Sequence, residues 1–362
     1  MNTKILSIQG LRAIAALMII FSHRGGYLPP LLNYELGANG VSIFIMLSGF
    51  VAYYSHNNDY SKVPSLKYTL QYTYKKIKKF YPLHFVTFVC VIPLEYLAVK
   101  LLLPEADLTC HLLEMAKRAA ANLSLTHSFF PEQSYYFSYN QTSWYLSDTL
   151  FFCLLTPLIV YLICIIPKKL KKIGTVVNLI IFISCILIQL LIGLLLYNTE
   201  FAHAILYINP LYRIFDYIEG CIICFFFLKY KNKLNKAIIN LLQIVSVCCF
   251  TVFVLSWKQF PVGLAYCVVY TIPTAFLLFS LAYDTGIISK ILKIKVLQFL
   301  GEISFELFLI HLVVFRYFDV ICNHLPPIHI AFHTIIPVCL AILVSAAIHF
   351  LPKQLLHTRH NS

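Results

Sequence analysis

Two ionisable residues of the first apolar segment, Arg12 and His23, have the types and the spacing to act together. Eleven residues at 100° each bring both side chains to one face of a helix, about 16 Å apart along its axis. An imidazole transfers protons near neutral pH, and a guanidinium holds anions such as phosphates. The pair predicts a polar strip across most of a membrane helix. The alternative is an arginine that snorkels and an interfacial histidine.

Other ionisable side chains interrupt later apolar segments. Asp148 follows Trp144 and is expected near the depth of His23, where a carboxylate would orient the imidazole. Further polar groups recur at helical spacing: Arg213, Asp216, Glu219, Glu302, Glu306 and His311. Charges inside a membrane are costly and therefore indicate function, so a shared polar cavity is predicted. For Arg213 and Asp216 a neutralising ion pair is an equally good interpretation.

The composition identifies the elements that must position these residues. Of 362 residues, 60% are hydrophobic and 12% charged, and the mean hydropathy is +0.78, whereas soluble domains are about 45–50% apolar and about 25% charged. A cytosolic enzyme is thereby excluded, and long unbroken apolar runs argue against a β-barrel. The sequence predicts an all-α, polytopic membrane protein with about ten transmembrane helices around a central polar cavity. The apolar runs are about 5–23, 39–55, 80–103, 144–166, 174–197, 209–228, 237–256, 262–282, 296–318 and 331–351.

The charge distribution predicts how the helices are oriented. Lys and Arg number 28 against 15 Asp and Glu, a formal net charge of +13, and the lysines cluster in alternate loops. This pattern follows the positive-inside rule rather than nucleic-acid binding. Both termini are predicted cytoplasmic and residues 104–143 outside, in a multi-pass protein of the cell (inner, cytoplasmic) membrane. The expected domains are a transmembrane domain, 1–352, and a short cytoplasmic tail, 353–362.

Two further sequence features have competing interpretations. The segment 75–82, interpreted as a cytoplasmic loop, contains Lys76 and Lys79, which obey the positive-inside rule or bind phosphates. The tyrosines of 135–145 suit the headgroup region or stacking on sugar rings. Cys221 and Cys224 form a CxxC without a second pair, so no metal site is predicted.

Six segments in chain order resemble the acyltransferase 3 family of integral membrane acyltransferases, in its stand-alone form without an SGNH-hydrolase domain. The Arg12 to His23 spacing is similar to the family's first-helix signature. In two places the chain departs from the family: Lys76 and Lys79 replace an arginine pair, and Thr149 stands where many members have a carboxylate. The resembling segments are 8–23, 40–50, 76–82, 144–146, 213–220 and 300–311.

The resemblance implies transfer of an acyl group, most often acetyl, from acyl-CoA to a carbohydrate hydroxyl of a surface polysaccharide or lipid-linked glycan. It implies His23 as general base, with direct transfer or a covalent acyl-histidine both open. Arg12, Lys76 and Lys79 would hold the phosphates of acetyl-CoA, and Ser48 or Arg213 would support the oxyanion. The remaining members of the expected polar site are Asp148, Trp144, Asp216, Glu306 and His311.

The expected partners are the acyl-CoA donor, the carbohydrate acceptor and membrane lipid, with no permanently bound cofactor and no nucleic acid. A secondary transporter or glycolipid flippase is the alternative, since ten helices with buried charges would suit one. Transporters often have paired Gly- or Pro-broken helices, a pattern that the twelve glycines here do not form. A membrane scaffold gives no reason for Arg12 and His23 to share a face.

Overall fold

The computed structural model describes residues 4–24, 35–57, 62–102, 108–171, 173–266, 268–324, 329 and 331–360. Throughout these residues the protein consists of helices and connecting turns, which confirms the all-α fold class. Residues 104–107 of the predicted outer segment and 361–362 of the predicted tail lie outside this description.

The α-helices are α1 (Leu6–Ser22), α2 (Glu35–His56), α3 (Leu66–Leu102), α4 (Leu108–Leu123), α5 (Gln133–Tyr136), α6 (Trp144–Leu170), α7 (Gly174–Leu196), α8 (Pro210–Tyr230), α9 (Lys236–Leu255), α10 (Val262–Ala265), α11 (Val268–Leu281), α12 (Ile287–Leu292), α13 (Lys295–Glu302), α14 (Ser304–Cys322) and α15 (Phe332–His360).

Seven segments of the described chain are long and apolar enough to cross a membrane. Helix α1 is also apolar, with 17 residues. Helices α8 and α14 have 21 and 19 residues. They are long enough to cross a membrane, but they contain charged side chains and are therefore less apolar than these seven segments. The protein is therefore a multi-pass membrane protein, while the count of ten spans stays a prediction. The seven segments are Leu36–His56, Leu66–Lys100, Gln141–Leu170, Gly174–Leu196, Lys236–Leu255, Gly263–Leu281 and Phe332–Leu351.

The third helix begins well before its predicted apolar run. Helix α3 has 37 residues and contains Pro82 and Pro93, so the segment predicted as a cytoplasmic loop is helical. No glycine or proline lies between Ser65 and Pro82, and lysine, leucine and glutamine are good helix formers. Lys76 and Lys79 are therefore held on a helix, one turn apart, rather than on a loop.

The apolar run 296–318 is divided between two helices. Helix α13 ends at Glu302 and α14 begins at Ser304, whose hydroxyl donates to the Gly301 carbonyl at 2.9 Å. Glu302 and Glu306 thus belong to different helices instead of successive turns of one. Both carboxylates nevertheless face His349 of α15, at 3.5 Å and 2.7 Å.

Helices α2 and α8 pack with their backbones in contact. A Cβ on Gly49 would lie 2.0 Å from the Tyr217 carbonyl oxygen, and one on Gly220 would lie 1.8 Å from that of Met46. Any larger residue at either position would push the helices apart. Small residues allow such close approach between membrane helices. This contact fixes the face of α2 that carries Val41 and Ser48.

Candidate active site

Two cavities lie along α1, and two side chains separate them. The inner cavity has a volume of about 490 Å³ and the outer cavity about 270 Å³. Val41 of α2 and Phe308 of α14 line both. Arg12 lines the inner cavity and His23 the outer one. The two ends of the polar strip predicted on α1 therefore face different cavities.

The inner cavity brings together the four residues expected to bind the donor. Arg12 comes from α1, Ser48 from α2, and Lys76 and Lys79 from successive turns of α3. The Lys76 ammonium lies 5.2 Å from the centre of the Tyr72 ring. Three cationic side chains from two helices thus face one space, an arrangement suited to a polyanion.

Two hydroxyls and a carboxylate lie among the other polar groups of the inner cavity. The Ser48 and Tyr145 hydroxyl oxygens are 3.1 Å apart, and Ser48 also donates to the Phe44 carbonyl at 2.8 Å. Glu306 lines the same cavity, and its Oε1 lies 2.7 Å from Nδ1 of His349. Arg12 has Tyr145 and Glu306 as electrostatic neighbours. The predicted site residue Glu306 therefore belongs with Arg12 rather than with His23.

The outer cavity combines His23 with aromatic rings and uncharged polar groups. The Trp144 ring centre lies 5.1 Å from that of Tyr207, which lies 5.4 Å from that of Tyr266. Sequence reasoning identified Trp144 but missed Tyr207 and Tyr266, because aromatic residues near helix ends are common in membrane proteins. The polar side chains of the lining are Ser22, His23, Gln133, Gln141 and Thr142.

His23 is held by a second histidine, His311 of α14. Nδ1 of His311 lies 3.1 Å from the Leu307 carbonyl oxygen, and its Nε2 lies 3.1 Å from Nδ1 of His23. Nδ1 of His23 is also 2.8 Å from the Ile19 carbonyl oxygen. Because a carbonyl oxygen only accepts, both Nδ1 atoms carry the proton. This assignment puts the lone pair of His23 on Nε2, as a general base requires.

An ion pair fixes the end of α1 next to His23. Nη1 of Arg24 lies 2.8 Å and 3.1 Å from the two carboxylate oxygens of Asp319, and its guanidinium carbon is 4.2 Å from the centre of the Phe315 ring. Both partners belong to α14, the helix that carries His311. Arg24 was not singled out from the sequence. Its position directly after His23 was the available signal.

Asp148 does not orient His23, contrary to the sequence prediction. Its carboxylate is buried, and the groups that act on it are the Ser128 hydroxyl and the Arg213 guanidinium rather than an imidazole. Equal depth in the membrane does not determine which way a side chain faces around its helix. His311 occupies the place beside His23 that was predicted for Asp148.

The charged residues of α8 form a buried cluster that lines neither cavity. Nε of Arg213 lies 3.1 Å from Asp216, and its Nη2 donates to Ser42 at 2.9 Å. Gln189 of α7 donates to Asp216 at 3.1 Å. Arg213 and Asp216 thus form an ion pair inside the bundle, the alternative that the sequence had left open, and neither belongs to the lining of the inner or the outer cavity.

The sequence of the chain matches a known protein family. The model of the acyltransferase 3 family, described as an acyltransferase domain, matches residues 5–348. The chain belongs to the acyltransferase 3 family. It is a membrane acyltransferase, and the matched region includes both cavities. Comparison with curated proteins and with solved structures gave no match.

The outer segment of the acyltransferase is packed rather than loosely placed at a lipid surface. Tyr136 is buried with its hydroxyl 3.0 Å from Nδ1 of His203, and Tyr139 is buried and donates to the Met115 carbonyl at 2.8 Å. Burial lowers the pKa of His203 to about 4 and that of His127 to about 3. Both imidazoles are therefore neutral at physiological pH, and the contact between Tyr136 and His203 beside the outer cavity is uncharged.

Proposed function

We propose that the acyltransferase transfers an acyl group, in the first place acetyl, from acyl-CoA to a carbohydrate hydroxyl of a surface polysaccharide or lipid-linked glycan. The contrast between the two cavities carries this proposal. A cation-lined inner cavity suits an anionic donor, and an aromatic outer cavity with an imidazole suits a neutral polyhydroxyl acceptor. The cavities adjoin at Val41 and Phe308, where donor and acceptor would meet.

The donor would bind with its phosphates at Lys76, Lys79 and Arg12. Lysine interacts with phosphate as a point charge, and arginine adds directional hydrogen bonds. The apolar wall formed by Phe44 and Leu47 leads towards the junction and would accommodate the less polar arm of the donor. The thioester would then lie between the two cavities, near the hydroxyls of Ser48 and Tyr145.

The acceptor would bind in the outer cavity against Trp144 and Tyr207. Aromatic faces pack against the C–H faces of sugar rings, while amides such as those of Gln133 and Gln141 form hydrogen bonds with hydroxyl groups. Ligand sites generally combine an apolar wall with a few convergent polar groups in this way. One sugar hydroxyl would lie at Nε2 of His23.

The reaction would then use His23 as acid and base. Nε2 removes the proton of the acceptor hydroxyl as its oxygen attacks the thioester carbonyl. The tetrahedral intermediate expels the CoA thiolate, which takes the proton from His23, so the acyl ester forms and the carbon–sulfur bond breaks. The hydroxyls of Ser48 and Tyr145, which in this structure donate to the Phe44 carbonyl and to Ser48, would turn to donate to the oxyanion. His311 would keep His23 in the reactive tautomer.

The test is transfer by the purified protein in nanodiscs. Acetyl-CoA labelled in the acetyl group is supplied with glycan extracted from a strain that lacks the gene. Release of free CoA, together with label in the glycan at one acetyl per modified sugar, is the expected result. With the protein reconstituted in vesicles in a parallel assay, movement of glycolipid between the leaflets without labelling of the glycan would contradict the proposal and support the flippase alternative. Slow CoA release without labelled glycan would contradict the carbohydrate acceptor.

A further inference from the structure

A third cavity lies away from the two described above and faces the side of the helix bundle. This lateral groove has a volume of about 260 Å³, and apolar and aromatic side chains of α7, α8 and α11 line it. Leu179 and Phe276 at its mouth are 45% and 51% exposed, and Ala275 lies on its floor. In a membrane protein such an opening faces the hydrocarbon of the lipid.

The lateral groove ends at a group of lysines. Tyr230, the last residue of α8, lines the groove and stacks on Phe226 with ring centres 6.4 Å apart. The ammonium groups of Lys229 and Lys233 lie 5.9 Å and 5.3 Å from the centre of the Tyr230 ring. Lys229 also donates to the hydroxyl of Thr175 at the start of α7. An apolar slot therefore leads directly to positive charge.

We propose that the lateral groove binds one anionic phospholipid, with an acyl chain between α7, α8 and α11 and the phosphate headgroup at Lys229 and Lys233. Charge complementarity selects this occupant. The lysines belong to the predicted cytoplasmic side, where anionic lipids attract basic residues next to the membrane. Tyr230 has the interfacial position that is typical of its residue type.

The size of the groove argues against other occupants. A packed helix has a diameter of about 10–12 Å, so a slot of about 260 Å³ accepts a chain rather than a helix of a partner. A neutral lipid would fill the slot but would leave the lysines without a counter-charge. The site shares no lining residue with the inner or outer cavity, and the proposal does not depend on the acyl acceptor.

Native mass spectrometry of the full chain in detergent tests the proposal. The protein is titrated separately with dioleoyl phosphatidylglycerol and dioleoyl phosphatidylcholine. We expect one phosphatidylglycerol to bind at least about tenfold more tightly than phosphatidylcholine. A lysine near anionic lipid contributes about fivefold, so Lys229→Gln with Lys233→Gln should weaken phosphatidylglycerol binding by about 30-fold and leave phosphatidylcholine unchanged.

Two further variants separate the headgroup site from the groove. Ala275→Phe fills the floor of the groove and should abolish binding of both lipids; Ile272→Trp at the mouth replaces it if Ala275→Phe does not fold. Lys290→Gln with Lys295→Gln removes the same charge elsewhere and should leave binding intact. The proposal would be overturned if the protein bound both lipids with equal affinity. It would also be overturned if the two double lysine variants lost phosphatidylglycerol binding equally, or if filling the groove left lipid binding undiminished. The proposal would also be overturned if the wild-type protein were a dimer and the variants with a filled groove were monomers, because a second copy of the chain would then occupy the groove.

Discussion

The inner and outer cavities differ in the kind of polarity that they offer. Arg12, Lys76 and Lys79 make the inner cavity cationic, whereas the outer cavity has an imidazole, amides and hydroxyls. Under the proposed function, one helix, α1, would contribute to the binding of two substrates of different charge. About 16 Å of helix separates Arg12 from His23, so the phosphates of a donor can stay at one end while only its reactive group approaches the other.

Removing the base of the outer cavity should have the largest effect. A positioned acid–base group contributes about 10²–10⁴-fold, so His23→Ala should lower kcat by this factor. KM for acyl-CoA should hardly change, because the donor site lies in the other cavity. The measurement is steady-state CoA release in nanodiscs. His324→Ala, an exposed histidine of the same side, is the matched control. Near wild-type turnover by folded His23→Ala would remove the proposed mechanism.

A substitution at the junction between the two cavities should have the next largest effect on turnover. Val41→Phe enlarges a side chain that lines both and should displace the thioester from His23. Misplacement of reacting atoms by about 1 Å costs about 10²-fold in rate. We expect this loss in kcat, with binding of a desulfo-CoA analogue unchanged by calorimetry. If donor binding fell instead and kcat were retained, Val41 would belong to the donor site alone.

Removing charge from the inner cavity should affect binding more than turnover. Lys76→Ala with Lys79→Ala should raise KM for acyl-CoA by about tenfold and leave kcat within about twofold, since contacts to remote phosphates provide uniform binding. Added salt should reduce the difference. Lys75→Ala with Lys78→Ala removes the same charge from the same helix, but these exposed side chains do not line the cavity. If the two double variants changed KM for acyl-CoA equally, all four lysines would serve only to orient the protein in the membrane.

The sequence predicted those parts of the site that depend on one helix at a time. Arg12 and His23 are related by helical spacing, so local geometry was enough for that pair. Lys76 and Lys79 were singled out by the family resemblance and were assigned to a loop, whereas they lie one turn apart on α3. The partners across helices were harder to predict. Asp148 was placed beside His23 by depth, but the rotation of α6 about its axis depends on packing with Ser128 and its neighbours.

The same reason accounts for the differences in fold. Apolar runs revealed the all-α membrane architecture, because hydropathy is additive along the chain. They could not show that α3 continues through a lysine-rich segment, or that a turn divides α13 from α14. They also could not assign Arg213 to Asp216 rather than to a substrate, since both roles use the same residue types at the same spacing.

The smallest expected effect concerns acid and the wall of the outer cavity. His127 is buried, and its Nε2 lies 3.2 Å from the hydroxyl of Ser143, directly before Trp144. Burial lowers the pKa of His127 from 6.5 to about 3, so the ordered segment binds this proton less readily than the unfolded one. The contribution of neutral His127 to the stability of the segment is fully present above pH 6.5 and is lost as the pH falls towards 3.

We therefore expect KM for the acceptor to rise a few-fold between pH 7 and pH 5, while KM for acyl-CoA stays constant. His127→Gln keeps a hydrogen-bonding amide beside Ser143 and removes the titration, so it should flatten the acceptor profile without altering kcat. If both KM values rose in parallel as the pH fell, in wild type and variant alike, the outer wall would not respond to His127 and the two cavities would not respond separately to acid.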